Sequence, residues 1–289
     1  MKLATFTHQG RTAIGVVTDE EIAELDGAPV GMRALLAAGE EGRALAARAM
    51  DRGGPRLRLA EVKLEAPVPD PRKFLGLGGN YKAHVAEILA RRPDFPVSDR
   101  QTWFNKQVTC VTGPYDPIHK PKVSDSFDYE GEMAIVIGRR CRHVKAADAE
   151  PAIAGYMVCN DASVREWQSR APTMMLGKSF DTHGPTGPWL TLGLSIEEAE
   201  DLEVRTWVNG ELRQQGRTSD FVHGIGAMIE ELSAVFTLEP GDILATGTPS
   251  GVGAAMTPPR FLRAGDLVRI EIERLGAIEN PVILEPEPS

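Results

Sequence analysis

Three acidic residues in this sequence have the spacing and surroundings of metal ligands. Glu130 and Glu132 stand two positions apart at the start of an apolar segment that runs to Gly138. Alternate residues of a strand point to the same face, so we expect the two carboxylates to project side by side. Adjacent carboxylates repel each other and resist removal from water, and a divalent cation compensates both effects. The alternative is that both glutamates lie on a solvated strand face.

A third oxygen ligand is available from Asp161, which ends a second apolar segment at residues 155–161. Three carboxylates without a neighbouring histidine or cysteine favour Mg²⁺ or Mn²⁺ over zinc. Three protein ligands also leave positions of an octahedral ion open for substrate or water. The sequence thus predicts a hard-cation site if the two segments are adjacent in space.

A candidate acid–base pair lies earlier in the chain. His84 and Glu87 are three positions apart in a segment with helical character, so they are neighbours on one helix surface. A carboxylate beside an imidazole orients the ring and raises its basicity, as a general base requires. The alternative is an ordinary surface pair, because such pairs are abundant on helices.

Two further features are compatible with an anionic substrate. Lys178 sits in a turn after Gly177, where its charge would offset a carboxylate or enolate, although a solvated loop lysine fits the sequence better. The segment 246–253 (TGTPSGVG) follows a predicted strand and offers backbone N–H groups and hydroxyls that can hold a carboxylate. A plain turn explains that segment about as well.

Familiar nucleotide-binding patterns fail on their spacing. The glycines at 76, 78 and 79 would need a further glycine where Tyr81 stands, and the Gly177-Lys178-Ser179 sequence would need one where Pro172 stands. Neither a dinucleotide loop nor a phosphate-binding P-loop is predicted.

Composition excludes several partners. The chain has 289 residues, with 32 lysines and arginines against 41 aspartates and glutamates, for a net charge of −9. Such a charge disfavours binding to nucleic acid or to an anionic membrane surface. Three cysteines without CxxC spacing argue against a disulfide scaffold, and no segment has the length of a membrane helix. We therefore expect a cytoplasmic protein whose partner is a small molecule.

The elements that must position these residues are mostly strands. Strands are predicted at 73–78, 132–138, 155–161, 242–246 and 266–272, with helices at 32–38, 41–50, 81–92 and 226–236 and a hairpin turn at Asn209-Gly210. Strand–helix alternation of a doubly wound sheet is absent. A β-rich α+β fold is expected, with a proline-rich connector at 65–71 separating a small N-terminal module.

Taken in order, several motifs resemble the fumarylacetoacetate hydrolase family. They span roughly residues 65 to 275 and are GGNYKAHVAE (78–87), GPYDPI (113–118), DYEGEMAIVIGR (128–139), GYMVCNDASVREWQ (155–168), GKSFDTHGPTGPWL (177–190), VNGELRQ (208–214) and LEPGDILATGTPSGVG (238–253). Each motif is weak alone, but the ordered set is specific. The resemblance is to the branch of acylpyruvases and 2-hydroxyhepta-2,4-diene-1,7-dioate isomerases.

The resemblance implies an architecture and a metal. It implies a mixed β-roll/β-sandwich catalytic domain over 66–289 and a small α/β domain over 1–65, assembled as a homodimer. It implies Mg²⁺ or Mn²⁺ held by Glu130, Glu132 and Asp161.

The resemblance also assigns roles around the metal. His84 and Glu87 become the water-activating pair on a lid that extends to about Arg100, and Lys178 lies beside the substrate oxygens. Substrate contact or its support falls to the remaining matched positions, Arg165, Gln168, Gly247 and Thr248. Asn80 departs from the aspartate that serves as a further ligand in larger family members, and a water would take that place. The segment 104–109 (FNKQVT) also departs from the usual motif.

The function implied is divalent-metal-dependent hydrolysis of C–C bonds in acylpyruvate-like 2,4-dioxo acids through a stabilised enolate. The alternatives are an isomerase, decarboxylase or hydratase acting on 2-oxo-dienoates, or an oxaloacetate decarboxylase, because all share enolate chemistry. A non-catalytic binder fits less well, because the acid–base pair and the ligand triplet are both present.

Overall fold

The computed structural model describes residues 1–51, 56–94, 96 and 98–287. Its strands are β1 (Lys2–His8), β2 (Arg11–Thr18), β3 (Glu21–Glu24), β4 (Arg56–Arg58), β5 (Lys63–Leu64), β6 (Phe74–Gly78), β7 (Thr102–Lys106), β8 (Val111–Thr112), β9 (Ile118–Lys120), β10 (Phe127–Asp128), β11 (Gly131–Ile137), β12 (Ile153–Asn160), β13 (Ser163–Val164), β14 (Gly184–Thr191), β15 (Glu203–Val208), β16 (Glu211–Arg217), β17 (Ile243–Ala245), β18 (Leu267–Ile272) and β19 (Gly276–Leu284). Its α-helices are α1 (Met32–Ala37), α2 (Glu40–Asp51), α3 (Lys82–Arg91), α4 (Arg165–Gln168), α5 (Ile196–Ala199) and α6 (Ile225–Val235). The expected β-rich α+β fold is confirmed.

A large mixed sheet carries the two segments that bear the acidic residues. Its strand order is β4-β3-β2-β1-β14-β12-β11-β17-β6-β7, with β5 on β1 and β8 on β14. Strand β11 is buried along its whole length and pairs antiparallel with β12, with Gly131 opposite Asn160. This register places the start of β11 beside the end of β12, and so brings Glu130 and Glu132 next to Asp161.

A second sheet covers the first. Its order is β16-β15-β18-β19-β9, and residues of β15 and β18 alternate between buried and partly exposed positions. Ile135 of β11 packs in one core cluster with Val204 of β15 and Ile270 of β18. Ala134 and Val136, on the opposite face of β11, belong to a separate cluster that includes residues of the N-terminal strands and helices. The central strand is therefore apolar on both faces because both faces are covered.

The predicted elements are found close to their expected places. The predicted 81–92 helix is α3, and the hairpin turn has positive φ at Asn209 and Gly210 (53° and 79°), as a type I′ turn requires. Strand β14 is absent from the sequence-based expectation because its two prolines disguise a strand (GPTGPWLT) at the centre of the main sheet.

Strand β1 pairs with β14, so the N-terminal strands extend the main sheet, and the division at residue 65 stays a prediction. All three cysteines are buried and unpaired. Among the helices that the structure describes, none combines the length and apolarity needed to cross a membrane.

Candidate metal centre and active site

The three predicted ligands converge. Carboxylate oxygens of Glu130, Glu132 and Asp161 lie within 4.8 Å of one another. The exposed fractions of the three residues are 5%, 2% and 0%. The alternative of a solvated strand face is therefore wrong, because both glutamates are buried.

Backbone hydrogen bonds hold the cluster at the ends of the strands. The Asp161 amide donates to the Glu130 carbonyl over 2.9 Å, which extends the β11–β12 pairing by one step. The Glu130 amide donates to the Asn160 side-chain oxygen at 3.1 Å. The Gly247 amide donates to Glu132 Oε2 at 2.8 Å, so the predicted Gly247 site residue contacts a carboxylate ligand.

Two buried lysines compensate the carboxylates. Lys178 Nζ lies 2.6 Å from Glu130 Oε2 and 2.5 Å from Asp161 Oδ2, and the residue is only 2% exposed. The interpretation of Lys178 as a solvated loop lysine is therefore wrong. Lys106 Nζ lies 2.7 Å from Asp161 Oδ1 and also donates to the Lys178 carbonyl. Asp161 is thus held between two ammonium groups.

Arg165 links the cluster to the neighbouring loop. Its Nη1 donates to Glu130 Oε1 at 2.6 Å and to Gln168 Oε1 at 3.1 Å, and its Nε donates to Asp128 Oδ2 at 2.8 Å. The buried Asp128 also accepts from the amides of Gly253 and Ala254 at 2.8 and 2.9 Å. Arg165 therefore supports Glu130 and also holds Gln168, whose contact with substrate stays a prediction.

The buried carboxylates of this cluster are not all paired with a cationic side chain. Three of the four buried carboxylates, those of Asp128, Glu130 and Asp161, form ion pairs with Lys106, Lys178 and Arg165. Within the described part of the chain Glu132 has no such pair, so its charge is uncompensated when it is ionised. Burial, together with the charges of Asp161 and Glu130, raises the pKa of Glu132 well above its ordinary value. Burial opposes ionisation of Glu130 too, but Arg165 and Lys178 outweigh it and lower the pKa of that carboxyl.

The donor set therefore fits a divalent ion. Its members are oxygen ligands, as Mg²⁺ and Mn²⁺ prefer, and they converge where a positive charge is missing. Glu130, Glu132 and Asp161 would hold the ion.

The predicted acid–base pair lies on α3 as expected. His84 Nδ1 is 2.9 Å from Glu87 Oε2, and Glu87 Oε1 accepts from the Gly251 amide at 2.8 Å. A carboxylate can only accept, so His84 donates to Glu87 from Nδ1. The part of the chain that the structure describes gives Nε2 no hydrogen-bond partner. His84 also lines the large cleft described below, where Nε2 is available to a bound molecule.

Helix α3 is fastened at both ends. The Ala83 amide donates to Asp220 Oδ2 at 3.0 Å, while Arg91 donates to the carbonyls of Ala254 and Met256. These contacts hold the His84–Glu87 pair over the loop that follows Gly251.

One cleft joins the pair to the carboxylates. It has a volume of about 1090 Å³, and its walls include His84, Glu87, Glu130, Glu132, Arg165, Gln168, Lys178 and Thr248. Pro96, Ser98 and Arg100 line it too, so the segment after α3 lies where a lid was expected. The mobility of that segment stays a prediction.

Two predicted residues are already occupied by other contacts. The Thr248 hydroxyl donates to the Gly131 carbonyl at 2.9 Å, so the hydroxyl braces the ligand segment. Asn80 is fully buried, and its amide donates to the carbonyls of Thr246 and His223 at 2.8 and 3.2 Å. Asn80 therefore joins two loops.

Lys106 and Asp128 were not predicted as site residues. Lys106 lies in the segment FNKQVT (104–109) and Asp128 begins the motif DYEGEMAIVIGR (128–139), but the sequence assigns neither residue a role. Lys106 alternates with buried Phe104 in β7, so strand periodicity places it on the buried face. A buried lysine requires an acidic partner, so strand periodicity together with this rule predicts that Lys106 pairs with a buried carboxylate.

Comparison with known proteins agrees with the geometry. Residues 73–283 match the model of the fumarylacetoacetate (FAA) hydrolase C-terminal family, and residues 1–67 match the Rv2993c-like N-terminal family. The chain is 39% identical to oxaloacetate tautomerase YisK of Bacillus subtilis, over 98% of this chain and 100% of that protein.

Two solved structures share the whole fold. A maleylpyruvate hydrolase from Sphingobium sp. SYK-6, in complex with manganese(II) ion and pyruvate, has a TM-score of 0.83 and 34% identity. A 2-hydroxyhepta-2,4-diene-1,7-dioate isomerase from Mycobacterium marinum has a TM-score of 0.80 and 33% identity. Each comparison covers 99% of this chain and 100% of the other.

Proposed function

Because the chain belongs to the fumarylacetoacetate hydrolase family, we propose that it is a Mg²⁺- or Mn²⁺-dependent enzyme that interconverts the enol and keto forms of oxaloacetate. The observation that carries this proposal is the buried triplet of Glu130, Glu132 and Asp161, two of whose members, Glu130 and Glu132, line one cleft with His84. The 39% identity to an oxaloacetate tautomerase over the whole chain supports tautomerisation as the reaction.

The metal would stabilise negative charge on the 2-oxo oxygen, as a Lewis acid does for an enolate. With the ion bound and Glu132 ionised, three cationic side chains and a divalent ion would face four carboxylates, which gives the buried cluster a net positive charge. A dianionic 2-oxo acid would therefore be attracted more strongly to the cleft when the ion is bound.

His84 supplies the proton transfer. Its Nε2 takes the proton from the 2-hydroxyl group of the enol, and the resulting imidazolium returns a proton to C3, which gives the keto form. Glu87 accepts from Nδ1 at 2.9 Å, so it fixes the ring and stabilises the imidazolium. No water is consumed, and the proton count of the substrate is unchanged.

Lys178 and Arg165 offset the charge that appears on the substrate oxygens. Lys178 Nζ contacts Glu130 and Asp161 and lines the same cleft, so its ammonium is close to any group bound at the carboxylates. Gln168 and the segment around Thr248 would contact the substrate. Preorganised donors of this kind stabilise the enolate more than the neutral forms.

The second candidate is hydrolysis of an acylpyruvate. Two observations favour it: the cleft of about 1090 Å³ accepts a larger acid than oxaloacetate, and the histidine–glutamate pair is equally suited to deprotonating water. Similarity to the maleylpyruvate hydrolase structure supports the same reading. Decarboxylation or isomerisation of 2-oxo acids would use the same enolate.

The test is a direct comparison of reactions. Metal-depleted protein is supplied with Mn²⁺ or Mg²⁺, and loss of the enol of oxaloacetate is followed by its ultraviolet absorbance. Pyruvate release from an acylpyruvate and from oxaloacetate is measured in parallel. The proposal predicts metal-dependent tautomerisation with a higher kcat/KM than either cleavage. A higher kcat/KM for acylpyruvate cleavage would select the second candidate instead.

Two variants separate the roles in the proposed mechanism. Glu132→Gln should abolish both metal binding and turnover, whereas His84→Gln should leave metal binding intact and lower kcat for tautomerisation by about 10²–10⁴-fold. Tautomerisation at the wild-type rate in His84→Gln would refute the proton-transfer role.

A further inference from the structure

Gly131, the residue between the two glutamates, pairs with β12 on one side of β11 but lies outside the pairing with β17 on the other side. Strand β17 pairs with β11 only from Ala134, opposite Ala245, onward. The N–H and C=O of Gly131 therefore have no strand partner on that side, although the residue is buried. Buried main-chain groups must be paired, so another part of the molecule has to supply both partners.

Gln214, from the second sheet, accepts from the Gly131 N–H directly and holds the Thr248 hydroxyl that donates to the Gly131 C=O. Its Oε1 accepts from the Gly131 amide at 2.9 Å, and its Nε2 donates to Thr248 Oγ1 at 2.8 Å. The Thr248 hydroxyl in turn donates to the Gly131 carbonyl at 2.9 Å. The side chain is 1% exposed and comes from β16, which is the edge strand of its sheet.

The same side chain also holds the loop that braces both functional groups. Gln214 Nε2 makes a second bond to the Pro249 carbonyl at 2.8 Å. Gly247, two residues before Pro249, donates to the Glu132 carboxylate, and Gly251, two residues after it, donates to the Glu87 carboxylate. One amide side chain thus connects the metal-ligand segment to the support of the acid–base pair.

We propose that Gln214 is a positioning residue that sets the geometry of the Glu130 and Glu132 carboxylates for a divalent cation. It binds no ion itself. This inference rests on the metal-dependent function proposed above, and it assigns a purpose to the VNGELRQ motif at 208–214, which that function does not use.

The residue types at the contact are matched to the task. An acceptor for Gly131 and donors for Thr248 and Pro249 are needed together, and a glutamine side chain offers both. Glycine is needed at 131, because a Cβ there would overlap Thr206 Oγ1 of the opposing sheet. The close approach of β15 and β16 to the ligand segment therefore depends on both residues.

The test measures Mn²⁺ binding to the folded protein by calorimetry and electron paramagnetic resonance, without any substrate. Gln214→Met removes all three hydrogen bonds at similar volume. The matched control is Gln215→Met, on the same strand, where the exposed side chain bonds to Glu203 at 2.8 Å and lies away from the carboxylates. We expect Gln214→Met to bind Mn²⁺ ten- to a hundredfold more weakly, as loss of a group that orients ligands does, while the control binds as wild type.

A double-mutant cycle tests whether the bonds act as one network. Thr248→Val alone should also weaken Mn²⁺ binding, and adding it to Gln214→Met should weaken binding by less than the product of the two separate effects. Binding is measured well below the unfolding temperature, so a loss of stability alone does not change it.

Two results would overturn different claims. Wild-type affinity for Mn²⁺ in a folded Gln214 variant would contradict the positioning role. Absence of Mn²⁺ binding by the wild-type protein would contradict the proposed function itself.

Discussion

Lys106 is the residue whose removal tests the electrostatics of the site most cleanly. It is completely buried, its ammonium lies 2.7 Å from Asp161 Oδ1, and no solvent screens the pair. Substituting methionine preserves most of the volume of the side chain and deletes the charge. Among the residues that the structure describes, the substitution leaves Asp161 with Lys178 as its one cationic contact.

The expected cost follows from burial. Removing one partner of a buried ion pair costs about 3–5 kcal/mol, because the other charge stays buried without compensation. For a chain of this size the thermal midpoint should fall by on the order of 10 °C in the metal-free protein. A bound divalent cation takes over part of the compensation, so the loss should be smaller with saturating Mn²⁺ than with EDTA.

The assay is chemical denaturation of wild-type and Lys106→Met protein, each with EDTA and with Mn²⁺. Lys145→Met is the matched control, because Lys145 is 77% exposed and its pair with Glu230 is an ordinary surface contact. Such a contact contributes about 0–1 kcal/mol. A loss in Lys106→Met below 1 kcal/mol, or an equal loss with and without Mn²⁺, would refute the reasoning.

The remaining predictions concern pH, the loop and the metal. Burial lowers the pKa of His183 to about 3, so below about pH 6.5 the unfolded chain binds a proton that the folded chain does not. The free energy of unfolding should therefore fall by about 1.4 kcal/mol per pH unit from pH 6.5 toward 3, and His183→Phe should flatten that slope. Gly251 has a φ of 102°, and an added Cβ would overlap the Arg213 carbonyl, so Gly251→Ala should displace the amide that holds Glu87. It should lower kcat by about tenfold or more without weakening Mn²⁺ binding; an unchanged kcat would contradict this role of the loop. EDTA should lower the thermal midpoint of wild-type protein, and an unchanged midpoint at saturating Mn²⁺ would contradict metal binding to the folded state.

Local periodicity predicted the parts of the site that lie within one element. The spacing of His84 and Glu87 on a helix, and of Glu130 and Glu132 at a strand end, gave the correct faces because both periods are fixed by backbone geometry. Asp161 was identified because it ends an apolar segment, and the β11–β12 register then determines its place.

Contacts between distant segments were not predictable in the same way. Gln214 and Gly131 are 83 positions apart in sequence, and Lys106 and Asp161 are 55 apart. No local sequence pattern therefore predicts either contact. The turn-forming neighbours of Lys178 favour a solvated lysine, and it is the family resemblance that places this residue in the site. Its burial depends on the carboxylates of Glu130 and Asp161. Strand β14 is not predicted from the sequence because its two prolines are rare inside a sheet.

The most direct test of the account is the position of Mn²⁺ in crystals, located by anomalous diffraction at the manganese edge. The account predicts one strong peak coordinated by carboxylate oxygens of Glu130, Glu132 and Asp161, and no such peak in Glu132→Gln. A manganese ion bound elsewhere, or none at these three residues at saturating concentration, would contradict it.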